Sequence, residues 1–313
     1  MKVLIKKKSR DLLLLSGLRR AVTVGLVGTT ALSLTGCLSL TIHRRSVNKT
    51  VKASMILDAT VQQLNDRIAE QFTAVKTLNA AIDIKASVGG ASVGEVKEYP
   101  EFSGYILMRK PDDLRVFMLV PVVRSLALDM VSDGKDFKLL IPPKNKGITG
   151  SDHEVSAPSK NGLENLRPYI IRDALLVPPV LPDELVTLTQ DSRILPAAHG
   201  KKELTEEPDY DLEVSRKQTG NVLETVRVVH ISRVTLQPYQ QDVYDHAGRL
   251  VTMVTYSNYK KFGDIDIPMS ILISRPIDQY TLQITVNKLT VNQPLDDEQF
   301  VLKIPDNIPI QKM

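Results

Sequence analysis

The sequence predicts an α+β fold, mainly β with some α, in which a curved antiparallel sheet or incomplete barrel wraps around one long N-terminal helix. Three observations predict it. Apolar residues recur at steps of three and four between positions 57 and 78, apolar and polar residues alternate in most segments after position 80, and turn sequences separate those segments. Steps of three and four are typical of an amphipathic helix, and steps of two of a half-buried strand. The apolar stripe of the helix and the apolar face of the strands therefore cover each other.

The helix opens the predicted domain, which runs from residue 51 to residue 313. Polar residues such as Asp58, Asn65 and Glu70 separate the members of its apolar stripe, which leaves one face for solvent. The stripe consists of Leu57, Val61, Leu64, Ile68, Phe72, Val75 and Leu78. A stripe of this length predicts one long helix that needs a large apolar partner.

The strands follow the helix in two groups. The first group is predicted over residues 82–88, 102–109, 114–120, 125–132 and 137–141. The second group is predicted over residues 210–216, 222–235, 249–259, 267–274 and 280–291. Asp133-Gly134 and the stretch from Asp245 to Gly248 are tight-turn sequences, so both groups are interpreted as antiparallel meanders.

A proline-rich region over residues 142–208 separates the two groups. Pro168 is suited to the first position of a helix over residues 168–176, and Asp183 is suited to cap a second helix over residues 184–189. Two interpretations stay open for this region. The helices either close the open side of the incomplete barrel as lids, or they form a surface excursion packed on the sheet.

The N-terminus is typical of a bacterial lipoprotein signal. Seven Lys and Arg precede residue 21, residues 21–34 are apolar or small, and Cys37, the only cysteine, follows Leu34-Thr35-Gly36. The apolar stretch is shorter than the roughly 20 residues that span a membrane. In the lipoprotein signals that this segment resembles, the thiol carries a diacylglyceryl group and the bond before it is cut. We therefore expect a signal peptide over residues 1–36, a lipidated tether over residues 37–50, and anchoring by acyl chains on Cys37.

The charge of the chain excludes a nucleic-acid partner. The whole sequence carries a formal charge of +4, but the signal holds seven of its basic residues and one acidic residue, which leaves 33 basic and 35 acidic residues, or −2. Binding to nucleic acid depends on neutralising phosphates with an excess of Lys and Arg. The basic character therefore belongs to the signal, and the domain after it has no such excess.

Enzyme motifs are not found in the sequence, and we expect neither catalysis nor a cofactor. The chain has no nucleophile elbow, no zinc-protease helix motif, no paired cysteines, no phosphate loop and no dinucleotide fingerprint. His230 is interpreted as a strand histidine with satisfied hydrogen bonds. Asp129, Asp133 and Asp136 stand beside a hairpin, where aspartate is ordinary turn chemistry rather than a metal site.

Two groups of motifs resemble a known family, and their order and spacing carry the resemblance more than any single motif. The first group comprises Gly104 to Pro111, Leu114-Arg115, Pro121, Val131 to Lys135 and Pro142. The second comprises Asp245 to Gly248, Ile267-Pro268, Asn292 to Leu295, Phe300, Leu302 and Pro305. They are similar to the outer-membrane lipoprotein-localisation family of LolA carriers and LolB receptors. The resemblance implies a half-open antiparallel β barrel of about eleven strands with short lid helices, whose apolar cavity holds acyl chains of another lipoprotein.

Two departures from the family bear on the site. In carriers an arginine directly before the proline of the first motif holds the lid closed, whereas here Lys110 stands at that place and Arg109 precedes it. Neighbouring residues of a strand point to opposite faces, and lysine lacks the planar fork of arginine, so we do not expect the carrier's lid latch to be kept unchanged. Arg109, Lys110 and the nearby Arg115 are candidate lid or rim residues, with plain surface charge as the alternative. The expected anchor is the second departure, because shuttling carriers are soluble and receptors are lipidated.

A loop over residues 89–100 lies where the receptors of this family have a protruding membrane-contact loop. Val93, Val96 and Tyr99 are its candidate membrane-contact residues, and a flexible hairpin without that role is the alternative.

Three functions remain open. The first is a lipoprotein that binds acyl chains or acylated lipoproteins in a receptor-like role, with a periplasmic carrier as partner. The others are a periplasmic sensor acting through a protein partner and a structural envelope lipoprotein with a filled barrel. Because Leu38 rather than Asp follows Cys37, we expect the outer membrane, facing the periplasm, or the outer face of the cytoplasmic membrane in a host with one membrane.

Overall fold

The structure is a computed structural model that describes residues 50–52, 55–90, 94–152, 166–196 and 204–313. The proposed signal, Leu34-Thr35-Gly36, Cys37 and the loop residue Val93 lie outside the described residues. Within the described part, no helix has the length and apolar character needed to cross a membrane.

The strands form one open sheet, which confirms the prediction of a mainly β fold. In chain order they are β1 Thr50–Lys52, β2 Thr77–Gly90, β3 Glu95–Glu98, β4 Phe102–Arg109, β5 Asp113–Leu119, β6 Leu126–Ser132, β7 Asp136–Ile141, β8 Lys146–Ser151, β9 Glu184–Leu195, β10 Leu204–Lys217, β11 Leu223–Ser232, β12 Pro238–Tyr244, β13 Leu250–Phe262, β14 Ile265–Arg275, β15 Tyr280–Val291 and β16 Ile310–Lys312. Their spatial order is β1-β10-β11-β12-β13-β14-β15-β2-β4-β5-β6-β7-β8-β16, with β3 beside β2 and β9 beside β10. The described part thus has sixteen strands rather than about eleven.

Most strand pairs are antiparallel neighbours along the chain, so hairpins build most of the sheet. The two predicted turns form as expected: Gly134 and Gly248 take positive φ angles of 86° and 71°, which glycine adopts without steric cost. The carboxylate of Asp133 accepts hydrogen bonds from the backbone N–H groups of Lys135 and Asp136. Asp245 does the same for the β12–β13 turn.

Helix α1, Val61–Ala74, is shorter than the long helix predicted. Thr60 caps its N-terminus, since its hydroxyl accepts from the N–H of Gln63 while the Gln63 side chain accepts from the N–H of Thr60. Val75 has extended backbone, and Leu78 already belongs to β2. Val75 and Leu78 continue the three-residue apolar spacing of the helix although both lie beyond its end. The sequence pattern therefore could not mark where the helix ends.

Helix α2, Pro168–Leu175, begins at the predicted proline. The helix predicted over residues 184–189 is wrong, because that segment lies within strand β9. The residues Leu185 to Thr189 alternate and are rich in β-branched side chains, and β9 pairs with β10 along twelve residues. Tertiary pairing therefore outweighs the capping signal of Asp183.

Three apolar clusters hold the fold within the described residues. The largest fills the inner face of the sheet from β13 through β8 and includes the buried residues of α2. A second, on the inner face of β9, β10 and β11, contains Leu64 and Ile68 of α1 with Tyr210, Leu212 and Val229. The third lies on the outer face under the C-terminal segment and is formed around Val131, Leu140 and Leu302.

Candidate functional site

A cleft of about 60 Å³ lies between α1, the chain after α2 and the inner face of the sheet. Its walls are mostly apolar, with a few polar groups from α1 and β14. The lining residues are Leu64, Arg67, Ile68, Gln71, Phe72, Leu175, Leu176, Val177, Ile231, Leu236, Gln237, Pro238, Tyr256, Tyr259, Asp266 and Pro268. The cleft separates the large core from the cluster under α1, so α1 is its outer wall.

Polar bonds along one side fasten α1 to the β13–β14 turn. Arg67 pairs with Asp266 at 3.3 Å between Nη2 and Oδ2. Gln71 accepts a hydrogen bond from the Asp266 N–H at 2.8 Å and donates to the Asp264 carbonyl at 3.2 Å. These groups lie at the edge of the cleft, where water reaches the Arg67 side chain, which is 41% exposed. The outer wall is thus closed partly by polar bonds that water can replace.

Lys110 fastens the C-terminal end of the same helix. Its ammonium donates to the Phe72 carbonyl and lies 3.3 Å from the centre of the Phe72 ring. A cation at a helix C-terminus is favoured by the exposed carbonyls and by the ring face. Burial lowers the pKa of Lys110 to about 8. The residue at the family's arginine position therefore contacts the helix that covers the cleft.

The hydroxyl of Tyr256, a residue that lines this cleft, is a buried polar group. The side chain is 4% exposed, and its hydroxyl has no hydrogen-bond partner among the described residues. Burial raises the pKa of this hydroxyl well above its ordinary value, so it keeps its proton. By contrast the neighbouring Tyr259 hydroxyl donates to the Pro238 carbonyl at 2.7 Å. An unpartnered buried hydroxyl is uncommon in a folded protein, and here it is a free donor.

Helix α2 is held more firmly than α1. The carboxylate of Asp152, which is fully buried, accepts from the Tyr169 N–H at 3.1 Å in the first turn of the helix and from the Ser132 hydroxyl at 3.0 Å. Arg172 contacts the same carboxylate at 3.4 Å and Asp112 at 3.7 Å. An acidic group at a helix N-terminus accepts hydrogen bonds from free N–H groups and is stabilised by the positive end of the helix dipole.

Arg109 and Arg115 hold the C-terminal segment rather than either helix. Arg109 pairs with Asp113 at 2.8 Å and with Asp297 at 2.7 Å. Arg115 forms a two-pronged pair with Asp129, at 3.0 and 2.7 Å, and donates to the Gln299 carbonyl at 2.9 Å. Of the three candidate rim residues, Arg109 and Arg115 contact the C-terminal segment on the outer face of the sheet. Lys110 contacts α1, beside the cleft.

The loop over residues 89–100 contains strand β3 as a short hairpin with β2. Val96 is 57% exposed, whereas Tyr99 is half-buried and packs against the large core. Among the described residues, the most exposed large apolar side chains lie elsewhere, at the β5–β6 turn, where Val122 is 97% and Val123 71% exposed. Val122 has a φ of 68°, which strains a β-branched residue. Two valines between predicted strands were the sequence signal for this tip.

The other polar candidates take structural positions. His230 lies on β11 between Asp211, at 2.6 Å, and Asp242, at 3.4 Å. Burial alone lowers its pKa, but the two carboxylates outweigh burial and raise it. Asp129 belongs to the Arg115 pair and Asp133 to the turn. The described residues contain no group of three or more His, Cys, Asp or Glu arranged to hold a metal ion.

Several solved structures are similar to this chain. A LolA superfamily protein from Nitrosomonas europaea is 14% identical and covers 78% of this chain and 99% of its own, with a TM-score of 0.47. A DUF1329 family protein from Desulfovibrio piger is 16% identical and covers 78% and 98%, with a TM-score of 0.48. A domain from Vibrio parahaemolyticus, named for outer membrane lipoprotein sorting, is 13% identical and covers 77% and 97%, with a TM-score of 0.45. No protein-family model and no curated protein matches the chain.

Proposed function

We propose that this protein is a membrane-anchored lipoprotein that binds the acyl chain of a lipid or of another lipoprotein in the cleft under α1, in a receptor-like role. The observation that carries the proposal is an apolar cleft with one free hydroxyl donor, Tyr256, at its inner wall. Acyl chains offer only apolar surface, and their ester or amide carbonyl offers one acceptor. Mostly apolar walls and a buried hydroxyl without a partner match both parts of such a ligand.

The cleft is narrow in this structure. Its 60 Å³ compares with roughly 300–1,000 Å³ for sites that enclose drug-sized ligands. An acyl chain therefore enters only when the outer wall moves, and α1 is that wall. Each methylene that then leaves water contributes about 0.8 kcal/mol, which offsets the separation of α1 from the sheet. The Arg67, Gln71 and Lys110 contacts are the bonds that this movement exchanges for water.

The membrane anchor is proposed at Cys37, with the signal over residues 1–36 removed and residues 37–50 as tether. The exposed valines of the β5–β6 turn, together with Val96, support contact of the domain with a lipid surface. The expected place is the outer membrane, facing the periplasm, where a soluble carrier could deliver cargo. Cleft and anchor together favour a receptor-like role over a structural one.

The test uses residues 50–313, because all three apolar clusters lie within them. The protein is purified without detergent and incubated with palmitic acid that carries a photoreactive group, and labelled sites are mapped by mass spectrometry. We expect label on residues of α1 and β13, about one per chain. Labelling spread over the surface, or none, would overturn the proposal.

Three variants sharpen this experiment. Ile68→Glu places a charge in the cleft. Its control, Val61→Glu, places the same charge at the first residue of the same helix, which is 38% exposed. Tyr256→Phe removes one hydroxyl that has no partner, so it leaves the fold unchanged or slightly more stable. We expect Ile68→Glu to abolish labelling, Val61→Glu to preserve it, and Tyr256→Phe to weaken binding of acyl esters about tenfold, in line with a lost hydrogen bond. Equal loss in both glutamate variants would show that labelling reports unfolding.

A further inference from the structure

Strand β9 forms one edge of the sheet. It pairs with β10 over twelve residues, from Glu184 opposite Arg216 to Leu195 opposite Thr205, and no strand pairs with its other side in the described part of the chain. The opposite end of the sheet differs, because the short strand β16 pairs with the outer side of β8. A long unpaired edge presents a row of backbone donors and acceptors to another strand.

The edge lacks three features that often block such pairing: proline, lysine and a β-bulge. Strand β9 contains no proline and no lysine, and its pairing with β10 shows no shift of register. Two large apolar side chains on it, Leu185 and Ile194, are 50% and 54% exposed. Exposed apolar residues on a long, regular edge are typical of a strand that receives a partner strand.

The sequence of β9 is complementary to itself in the antiparallel direction. With Gln190 opposite Gln190 of a second copy, Leu185 lies opposite Leu195 and Val186 opposite Ile194. Thr187 then meets Arg193, and Thr189 meets Asp191, so no like charges face each other. Apolar residues stand at both ends and polar residues in the middle, and both exposed apolar side chains gain apolar partners.

We propose that two copies of this protein associate through their β9 strands, antiparallel about a two-fold axis at Gln190. The arrangement is isologous, since the same patch serves on both copies, and it closes without further growth. Eleven residues of each strand, 185 to 195, pair in this register. The two sheets become continuous, while the inner-face side chains of β9, Val186 and Leu188, keep their places against the cluster under α1.

Cysteine cross-linking in the membranes of expressing cells tests the register with the full chain. Directly opposite residues of antiparallel strands have Cα atoms about 4.5–5.5 Å apart, which a disulfide spans. Gln190→Cys is therefore expected to give a covalent dimer after mild oxidation. Ser192→Cys is the matched control, because two copies of it lie four residues apart along the strands, about 13 Å. The unaltered chain, with Cys37 alone, gives the background.

A second pair of variants tests the surface in the Gln190→Cys chain. Leu185→Lys adds the charge that protected edges carry, and we expect it to lower the covalent dimer about fivefold or more. Leu223→Lys, which alters a leucine of equal exposure, 52%, on β11, should leave the dimer unchanged. Unchanged melting temperatures establish that both variants fold. Equal cross-linking of Gln190→Cys and Ser192→Cys, or a folded Gln190→Cys chain that stays monomeric, would overturn the proposal, and the latter is expected if a segment of the same chain covers the edge.

Discussion

The two helices cover the inner face of the same sheet, yet they are held in different ways. Five of the eight residues of α2 are buried, and a fully buried carboxylate fastens its first turn. Only two of the fourteen residues of α1 are buried, and its fastening groups lie at the edge of a cleft. Helix α2 therefore belongs to the core, whereas α1 is a cover. Local stability follows buried apolar contact, so α1 is the element that opens at lower free energy.

The largest effect should come from the fastening of α2. Asp152→Ala leaves Arg172, the Ser132 hydroxyl and the first turn of α2 without their buried partner. We expect the free energy of unfolding to fall by about 3–5 kcal/mol, as for other broken buried pairs, measured by urea titration. Asp112→Ala removes the half-exposed partner of the same arginine and should cost no more than about 1 kcal/mol. Equal costs would mean that Asp152 does not fasten the helix.

The same truncation in each helix compares the two directly. Ile171 of α2 is 1% exposed, and Ile68 of α1 is 7% exposed and borders the cleft. We expect Ile171→Ala to lower the free energy of unfolding by about 4 kcal/mol and Ile68→Ala by about 2 kcal/mol, because a side chain beside empty space has fewer contacts to lose. Urea titrations with unchanged slopes measure both values. The reverse order would make α1 the better packed helix.

The polar fastening of α1 should govern entry into the cleft more than stability. Arg67→Ala removes a partly exposed ion pair, so the free energy of unfolding should change by no more than about 1 kcal/mol. The rate at which a fluorescent acyl probe enters residues 50–313 should rise, because α1 separates from β14 more easily. Arg249→Ala is the control, since its pair with Asp245 lies in the β12–β13 turn. An unchanged entry rate would place the moving wall elsewhere.

The sequence predicts strands well where turn signals bound them. The bounds of β4 and β15 agree with the prediction because each apolar-rich segment has a turn or break at its ends. It could not predict β9, where Asp183 before Glu184 is a capping signal and only pairing with β10 decides. Strand β12 was missed because its Gln-Gln-Asp centre is polar, although Gln241 is 2% exposed on the inner face.

The cleft could not be predicted from sequence. Its walls come from α1, from the chain after α2 and from strands near residues 231–268, and each apolar residue there has the pattern of an ordinary core residue. The Tyr256 hydroxyl is a free donor only because no acceptor in the described part of the fold reaches it. A local sequence pattern cannot show that. Lys110 was recognised by its place before a proline, but its contact with Phe72 depends on where α1 ends.

The smallest effect concerns the charge on Lys110 at the end of α1. Burial lowers its pKa from 10.5 to about 8, so between these values the unfolded chain binds more protons at this site than the folded chain. Stability contributed by this group must then rise with pH from about 8 to about 10.5. The burial cost of the charged form is fully present below pH 8 and disappears above that interval. Lys110→Met should therefore show a smaller rise in the free energy of unfolding over the interval than the unaltered protein, measured by urea titrations at pH 7.5, 9 and 10.5. Lys85→Met, at a lysine whose side chain is 65% exposed on β2, should keep the rise. If both variants lose it equally, the pH dependence belongs to the general charge of the protein and not to Lys110.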